Sequence, residues 1–369
     1  MTSTPSALDK RPAPFVRDRI RSFSTPSCAF CGCRGRELYR DLSDRLFSAP
    51  GHWNLKRCQN PECGELWLDP MPVPEDIGRA YETYYTHGSD SSNAEPTKLA
   101  AKIVQVIRRG YLARKYGYEN VASGNVPGNL SRWLGLLAYL NPFRRAWLDF
   151  SMMYLNRVRD GRLLEVGCGS GGMLKNFADL GWRVAGIDFD PVAVAACQSK
   201  GLRVELGTLE AQLYSRSSFD AVVMSHVIEH VHDPIALLSE CRRILAPGGK
   251  LSLVTPHIDA FGHRLFRSSW FCLDPPRHLH LFSVKSLHTA LREAGFTRLR
   301  IFTTMRDASE TFIASRSIRR TGRFQMGSAH NATETAVGSL LQWIEWILLK
   351  LGFVVGEELV AIAQKDAAS

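Results

Sequence analysis

Residues 163–172, LLEVGCGSGG, read as a buried strand running into a glycine turn. Such a turn lets backbone approach a nucleotide-type ligand closely, and the helix after it points its N-terminus at negative groups. Two glycine spacings overlap here. Gly167, Gly169 and Gly172 satisfy G-x-G-x-x-G, the dinucleotide fingerprint. Gly167, Gly169 and Gly171 satisfy G-x-G-x-G, with Glu165 two residues ahead. Asp188 closes the next strand, 21 residues after Gly167, where a carboxylate can accept ribose hydroxyls. On these residues alone both cofactor readings stay open.

Two further sets of side chains carry chemistry. Cys28 and Cys31 (CAFCG) and Cys58 and Cys63 (CQNPECG) form two pairs, each followed by glycine. Two such thiolate turns can share one tetrahedral Zn²⁺ as a structural site, although the second pair is wider than the usual spacing and 26 residues separate the pairs. Cys33 is left over, and Cys168, Cys197, Cys241 and Cys272 read as packing residues, with Cys168 inside the glycine loop. The third set is histidine. His226 and His230 lie in SHVIEH after an apolar strand, and His278 and His280 flank Leu279 in PPRHLHLFS. Histidine titrates near neutral pH and suits removal of a proton from an acceptor. His226 is the first candidate base and His230 the second. On an extended segment His278 and His280 point the same way, as bases or substrate clamps. H-x-x-E-H also matches an inverted zinc-peptidase pattern, but a strand exit does not put both histidines on one helix face.

The elements that must position these groups alternate. Strands are read at 162–166, 183–188, 202–207, 219–225, 247–256 and 297–304, with helices between them, and a last strand at 357–365 pairs with 297–304. Such alternation predicts an α/β, Rossmann-like doubly wound sheet. The organisation expected is a disordered N-terminus (1–24), a cysteine-rich, zinc-ribbon-like module (25–72) and a linker with a helical cap (73–155). A core (156–304), a helical insertion (305–353) and the last strand with a tail (354–369) follow.

From residue 156 onward the chain resembles the class I S-adenosylmethionine (SAM)-dependent methyltransferases, with motifs in that family's order: LLEVGCGSG, GIDFDP, GTLE, FDAVVMSHVIEHVHDP, LAPGGKLSLVTP, HLHLFS and AGF. The resemblance decides the cofactor question for SAM and implies a seven-stranded sheet. It implies Gly167, Cys168, Gly169 and Gly171 as the cofactor loop, and Glu165 as an anchor of the amino end of SAM. It puts Asp188 on the ribose, Phe189 beside the adenine, Thr208 and Leu209 at the adenine edge, and Ser225 near the methyl. Tyr85, in YYTHG with Tyr84 and His87, is expected to close over the cofactor. Base N-methyltransferases carry an Asp/Asn-Pro-Pro-aromatic tetrad at the fourth strand's exit. Here Asp274-Pro275-Pro276 comes after the fifth strand and precedes Arg277, which disfavours base methylation.

A cysteine-rich module ahead of a SAM domain is similar to bacterial sugar and polysaccharide-pathway methyltransferases. The reading is therefore methyl transfer to an oxygen or carbon of a small-molecule, sugar or lipid-linked acceptor. An RNA methyltransferase and a non-catalytic SAM-fold binding protein are the alternatives, the first suggested by a net charge of +10. Scattered basic residues disfavour nucleic acid. No run reaches the about 20 apolar residues of a membrane span, and the polar, Pro-rich stretch MTSTPSALDKRPAPF lacks the charged-then-apolar order of a signal peptide, so a cytoplasmic location is expected. Three segments look apolar for surface: 98–118, 133–155 and 340–353. They read as a cap or as a peripheral contact with the inner membrane face.

Overall fold

The computed structural model describes residues 19–82, 98–119 and 128–367. The first eighteen residues, the linker 91–97 and the loop with Tyr84, Tyr85 and His87 lie outside them.

The N-terminal region is not disordered through residue 24. Strand β1 (Ser22–Phe23) pairs with β5 (Met71–Pro72), and Arg21 clamps Asp76 at 2.9 Å. Between them, β2 (Gly35–Leu42), β3 (Trp53–Cys58) and β4 (Leu66–Leu68) form an antiparallel meander. Helices α1 (Lys98–Tyr116), α2 (Gly128–Leu134) and α3 (Pro142–Ser151) follow.

The core sheet is built from β6 (Arg162–Val166), β7 (Arg183–Asp188), β8 (Val204–Leu206), β9 (Phe219–Ser225), β10 (Leu245–Pro256), β12 (Arg298–Thr304) and β13 (Glu358–Gln364). Its order is β12-β13-β10-β9-β6-β7-β8, seven strands as expected. Five neighbours run parallel, and β13 inserts antiparallel between β12 and β10. The central strands are apolar on both faces because helices cover both. On one side lie α6 (Pro234–Ile244) and α8 (Val284–Glu293), on the other α4 (Gly172–Asp179) and α5 (Pro191–Ser199). Asp190 and Asp233, each followed by proline, cap α5 and α6 by accepting from backbone N–H groups.

Two expectations about organisation change. Helix α1 is part of the layer over the sheet as well as of the region read as cap. Its Tyr111, Leu112 and Tyr116 share a core with Leu163, Phe177 and Trp182. The cysteine-rich module is not a separate unit either. Strand β11 (His280–Leu281) pairs antiparallel with β4 and completes the module's four-stranded sheet. Fully buried Arg277 donates to Asp44 at 2.8 Å and to Asp274, tying residues either side of that seam. Helices α7 (Phe261–Phe266), α9 (Ala308–Thr321) and α10 (Ala332–Lys350) pack together, the last two forming the predicted helical insertion.

Candidate active site and metal centre

The strand order turns between β6 and β9, and loops at the carboxyl ends of these strands form the crevice where doubly wound sheets take ligands. Gly167, Gly169 and Gly171 all have positive φ (70°, 49° and 77°). A Cβ at Gly167 would meet Val227 at 2.5 Å, one at Gly171 would meet Cys197 at 2.7 Å, and one at Gly169 would face open space. The chain therefore needs glycine twice for packing, and Gly169 leaves an uncovered cradle. The Asp188 carboxylate accepts from the N–H of Gly169 at 2.8 Å and of Asp190 at 3.0 Å, which fixes the loop against β7. Each of its oxygens retains a second lone pair for a ribose hydroxyl.

Glu165 is buried in β6 with one carboxylate oxygen unpartnered. Burial pushes its pKa well above the usual range, and Asp188 adds to that. An orphaned buried oxygen beside a glycine cradle fits a cofactor with an amino group and ribose. Phe189 is exposed at 59%, with the Tyr81 ring edge-on at 5.3 Å. Thr208 is exposed, but Leu209 is buried in the core with α6, so its side chain is not at the adenine edge. The Cys168 side chain likewise packs in the core, leaving only its backbone to the loop. Ser225 ends β9, and Tyr85 is outside the described residues.

His226 follows β9 with φ +54°, a left-handed conformation that turns its ring back across the sheet end. Nδ1 lies 3.2 Å from Glu229 and Nε2 lies 2.9 Å from Glu358 at the start of β13. Burial would lower its pKa, but the two carboxylates outweigh burial and bring it to about 9. Glu229 falls to about 2, because the pairing with His226 overrides the opposing effect of burial. Arg306 also binds Glu358, and its guanidinium lies 3.7 Å from the Phe150 ring centroid and 5.1 Å from that of Trp147.

His230 behaves differently. Burial and neighbouring His278 lower it to about 4, so it is neutral at pH 7. Its Nδ1–H points at the Arg277 carbonyl at 3.0 Å and the Tyr81 hydroxyl at 2.9 Å. Tyr81 thus joins the Phe189 edge to His230. The sequence pattern pointed to Tyr85 in the same aromatic run and passed over Tyr81. Glu358 and Arg306 also escaped it. The signal available was Glu357-Glu358 opening an otherwise apolar strand.

His278 and His280 do not face one site. Only His280 is on a strand, so period-two alternation does not apply. His278 meets the His230 ring edge-on, at 4.7 Å between centroids. His280 points into the cysteine module and donates from Nδ1 to Glu65 at 2.7 Å.

In that module the sulfurs of Cys28, Cys31, Cys58 and Cys63 all lie within 4.8 Å of one another. Cys28–Cys63 is 3.5 Å and Cys31–Cys58 is 3.4 Å. Four thiolates around one Zn²⁺ stand about 3.8 Å apart, so the donor set fits this ion. Gly32 and Gly64 have φ +67° and +70°, the left-handed turn that each knuckle requires. Cys28 also donates to Glu65 at 2.7 Å, which links the sulfur cluster to His280. Cys33 is exposed and outside the cluster.

A family described as "Methyltransferase domain" matches residues 140–300. A ubiquinone biosynthesis O-methyltransferase of Xanthomonas oryzae pv. oryzae is 37% identical over 123 residues, covering 31% of this chain and 50% of that protein. One from Cereibacter sphaeroides is 33% identical over 146 residues, covering 36% and 59%. The chain thus spans about half the length of the curated relatives it matches. A crystal structure of a SAM-dependent methyltransferase from Mesorhizobium loti is similar over 60% of this chain and 98% of its own, at 18% identity and a TM-score of 0.43. The methyltransferase domain matched over residues 140–300, the motif order and the seven-stranded sheet agree with the class I SAM-dependent methyltransferase fold.

Proposed function

We propose that this chain transfers a methyl group from SAM to an oxygen of a small, hydroxylated acceptor. The observation that carries this is that one crevice holds the groups for both reactants. The Gly167–Gly171 turn and Asp188 stand on β6 and β7, and His226 stands at the exit of adjacent β9. When bound, SAM supplies a methyl already activated by its sulfonium. The chain must hold the acceptor, exclude water and take the acceptor's proton. His226 takes that proton in its neutral form. Glu229 and Glu358 make it a strong base, at the cost of keeping it mostly protonated at pH 7. His230 and His278 line the inner wall. Glu165, the glycines, Asp188, Phe189, Thr208 and Ser225 hold the cofactor.

The relatives' activity, O-methylation in ubiquinone biosynthesis, supports oxygen over carbon. A lipid-linked or otherwise amphiphilic acceptor fits the neighbourhood of His226, where Arg306 is flanked by Trp147 and Phe150. The four cysteines hold a structural zinc that steadies β4, and through it β11.

The test is calorimetry with SAM and S-adenosylhomocysteine, followed by transfer of labelled methyl to phenolic and lipid-linked acceptors. Micromolar SAM binding with labelled product is expected. No SAM binding overturns the proposal.

A further inference from the structure

Helix α10 is apolar on its outer face as well as on the inner face where Leu341, Trp346 and Leu349 meet the core. Its exposed face carries Leu340, Trp343, Ile344 and Ile347, spaced three or four residues apart, and exposed Leu351 extends the stripe. Between Glu334 and Lys350 its one charged residue is Glu345, which is fully buried and accepts from the N–H of Glu357 at 2.9 Å. A helix at a water interface has the opposite arrangement. The stripe does not end with the helix. Trp343 packs edge-on against Phe143 of α3 at 4.7 Å, which brings in the turn 135–140 with Leu137 and Leu140 exposed at 45% and 79%. Trp133 of α2 is exposed at 69%. A continuous apolar face of this kind marks a binding surface.

The charge around it selects the occupant. Residues 98–151 hold nine Lys or Arg against two acids, Glu119 and Asp149. Asp149 is buried and paired with Lys115, and Glu119 is paired with Arg132. Arg144 is exposed one residue after Phe143, Arg145 lies over Tyr139, and Lys350 closes α10 over Trp346. Tryptophan and basic residues bordering aliphatic side chains suit the headgroup level of an anionic bilayer. A second copy of this chain would bring one predominantly basic face against another, which disfavours it.

We propose that the face formed by α2, the turn 135–140, α3 and α10 docks this chain on an anionic lipid bilayer. Docking stands independently of the methyl-transfer reading. Its consequence for that reading, which rests on it, is the route of the acceptor. Trp147, on α3, reaches Arg306, and Arg306 shares Glu358 with His226. An amphiphile lying in the membrane would present its head group at His226 without leaving the lipid.

The test is flotation of the full-length chain with phosphatidylcholine–phosphatidylglycerol vesicles and with pure phosphatidylcholine vesicles, at low and high salt. Binding to the anionic vesicles that weakens with salt is expected. Leu340→Glu/Ile344→Glu and the uncharged Leu340→Asn/Ile344→Asn should each lower partitioning at least about tenfold. Both sites are exposed, so SAM affinity and melting temperature should hold in all forms and separate loss of docking from loss of fold or cofactor site. No binding to anionic vesicles at low salt overturns the proposal. So does a concentration-dependent dimer in sedimentation that the same substitutions dissolve, since the face would then belong to a second copy.

Discussion

The imidazole of His226 stands 2.9 Å from the carboxylate of Glu358, a residue 132 positions later in the chain. One follows β9 directly and the other opens β13, two strands away across β10. Because β13 runs antiparallel to β10, its first residue lies at the end where β9 and β10 finish. The antiparallel strand is thus the device that delivers a carboxylate to the candidate active site.

The first prediction concerns this pair. Below pH 9 His226 is mainly imidazolium, so its neutral form grows as pH rises. If His226 is the base, methyl transfer rises about tenfold per pH unit below 9 and levels above it. In Glu358→Gln, loss of a carboxylate lowers the His226 pKa, and the plateau begins at lower pH. NMR titration of the ring measures the same shift without turnover. The stability sign is also fixed. A pKa raised in the fold gives stability present in full below the unfolded value and lost as pH rises through about 9. A rate with no pH dependence between 6 and 9 would rule out His226 as the base.

The second prediction concerns the sulfur cluster. Purified protein should contain about one zinc per chain, and Cys58→Ser should remove it. Metal loss should cost about 3 kcal/mol or more of stability. Because β4 pairs with β11, the loss should also speed amide exchange at Leu281, far along the chain from the thiolates. Zinc-free protein with unchanged exchange at Leu281 would separate the cluster from the methyltransferase sheet.

Much of this architecture was legible because it is local. Apolar runs bounded by glycine and Asp-Pro gave the core strands and helix starts, and two Cys pairs followed by glycine gave the four clustered sulfurs. The legible part stops where partners are far apart in sequence. Glu358, Arg306 and Tyr81 enter the crevice from three separate segments, and no spacing rule connects them to His226. His278 and His280 do not point the same way, because alternation holds only within a strand and β11 begins at His280. Leu209 and Cys168 sit in motif positions, but their side chains complete the core. A motif fixes the path of the backbone, and packing decides which side chains face the ligand.

A third prediction tests the cofactor loop. Asp188→Ala removes the acceptor for the N–H groups of Gly169 and Asp190 and, on the proposed reading, the partner for the ribose. SAM affinity in calorimetry should fall at least about tenfold, the order of a lost charge-assisted hydrogen bond. Phe189→Ala, at a surface position, should lower affinity less and leave the melting temperature unchanged. Equal SAM binding by Asp188→Ala and the parent would remove Asp188 from the cofactor site.

The last prediction concerns Arg277, which is fully buried between Asp44 and Asp274 and stacks on Phe47 at 4.8 Å. Burial alone would raise the Asp44 pKa, but Arg277 reverses this and holds it below its ordinary value. In the parent, Asp44 therefore contributes stability at neutral pH that is lost as acid protonates it. Arg277→Met strands two carboxylates in one buried pocket and should cost about 3–5 kcal/mol at pH 7. The pH dependence should then change sign. With the cation gone, burial and mutual repulsion raise the Asp44 pKa, and the folded state gains by taking up a proton. The variant should become more stable as pH falls from 7 to 5, while the parent does not. Thermal melts across that range read the difference directly. A variant that tracks the parent's pH dependence would mean that water or another cation reaches Asp44, and that the seam between the cysteine module and the core sheet is not sealed by this pair.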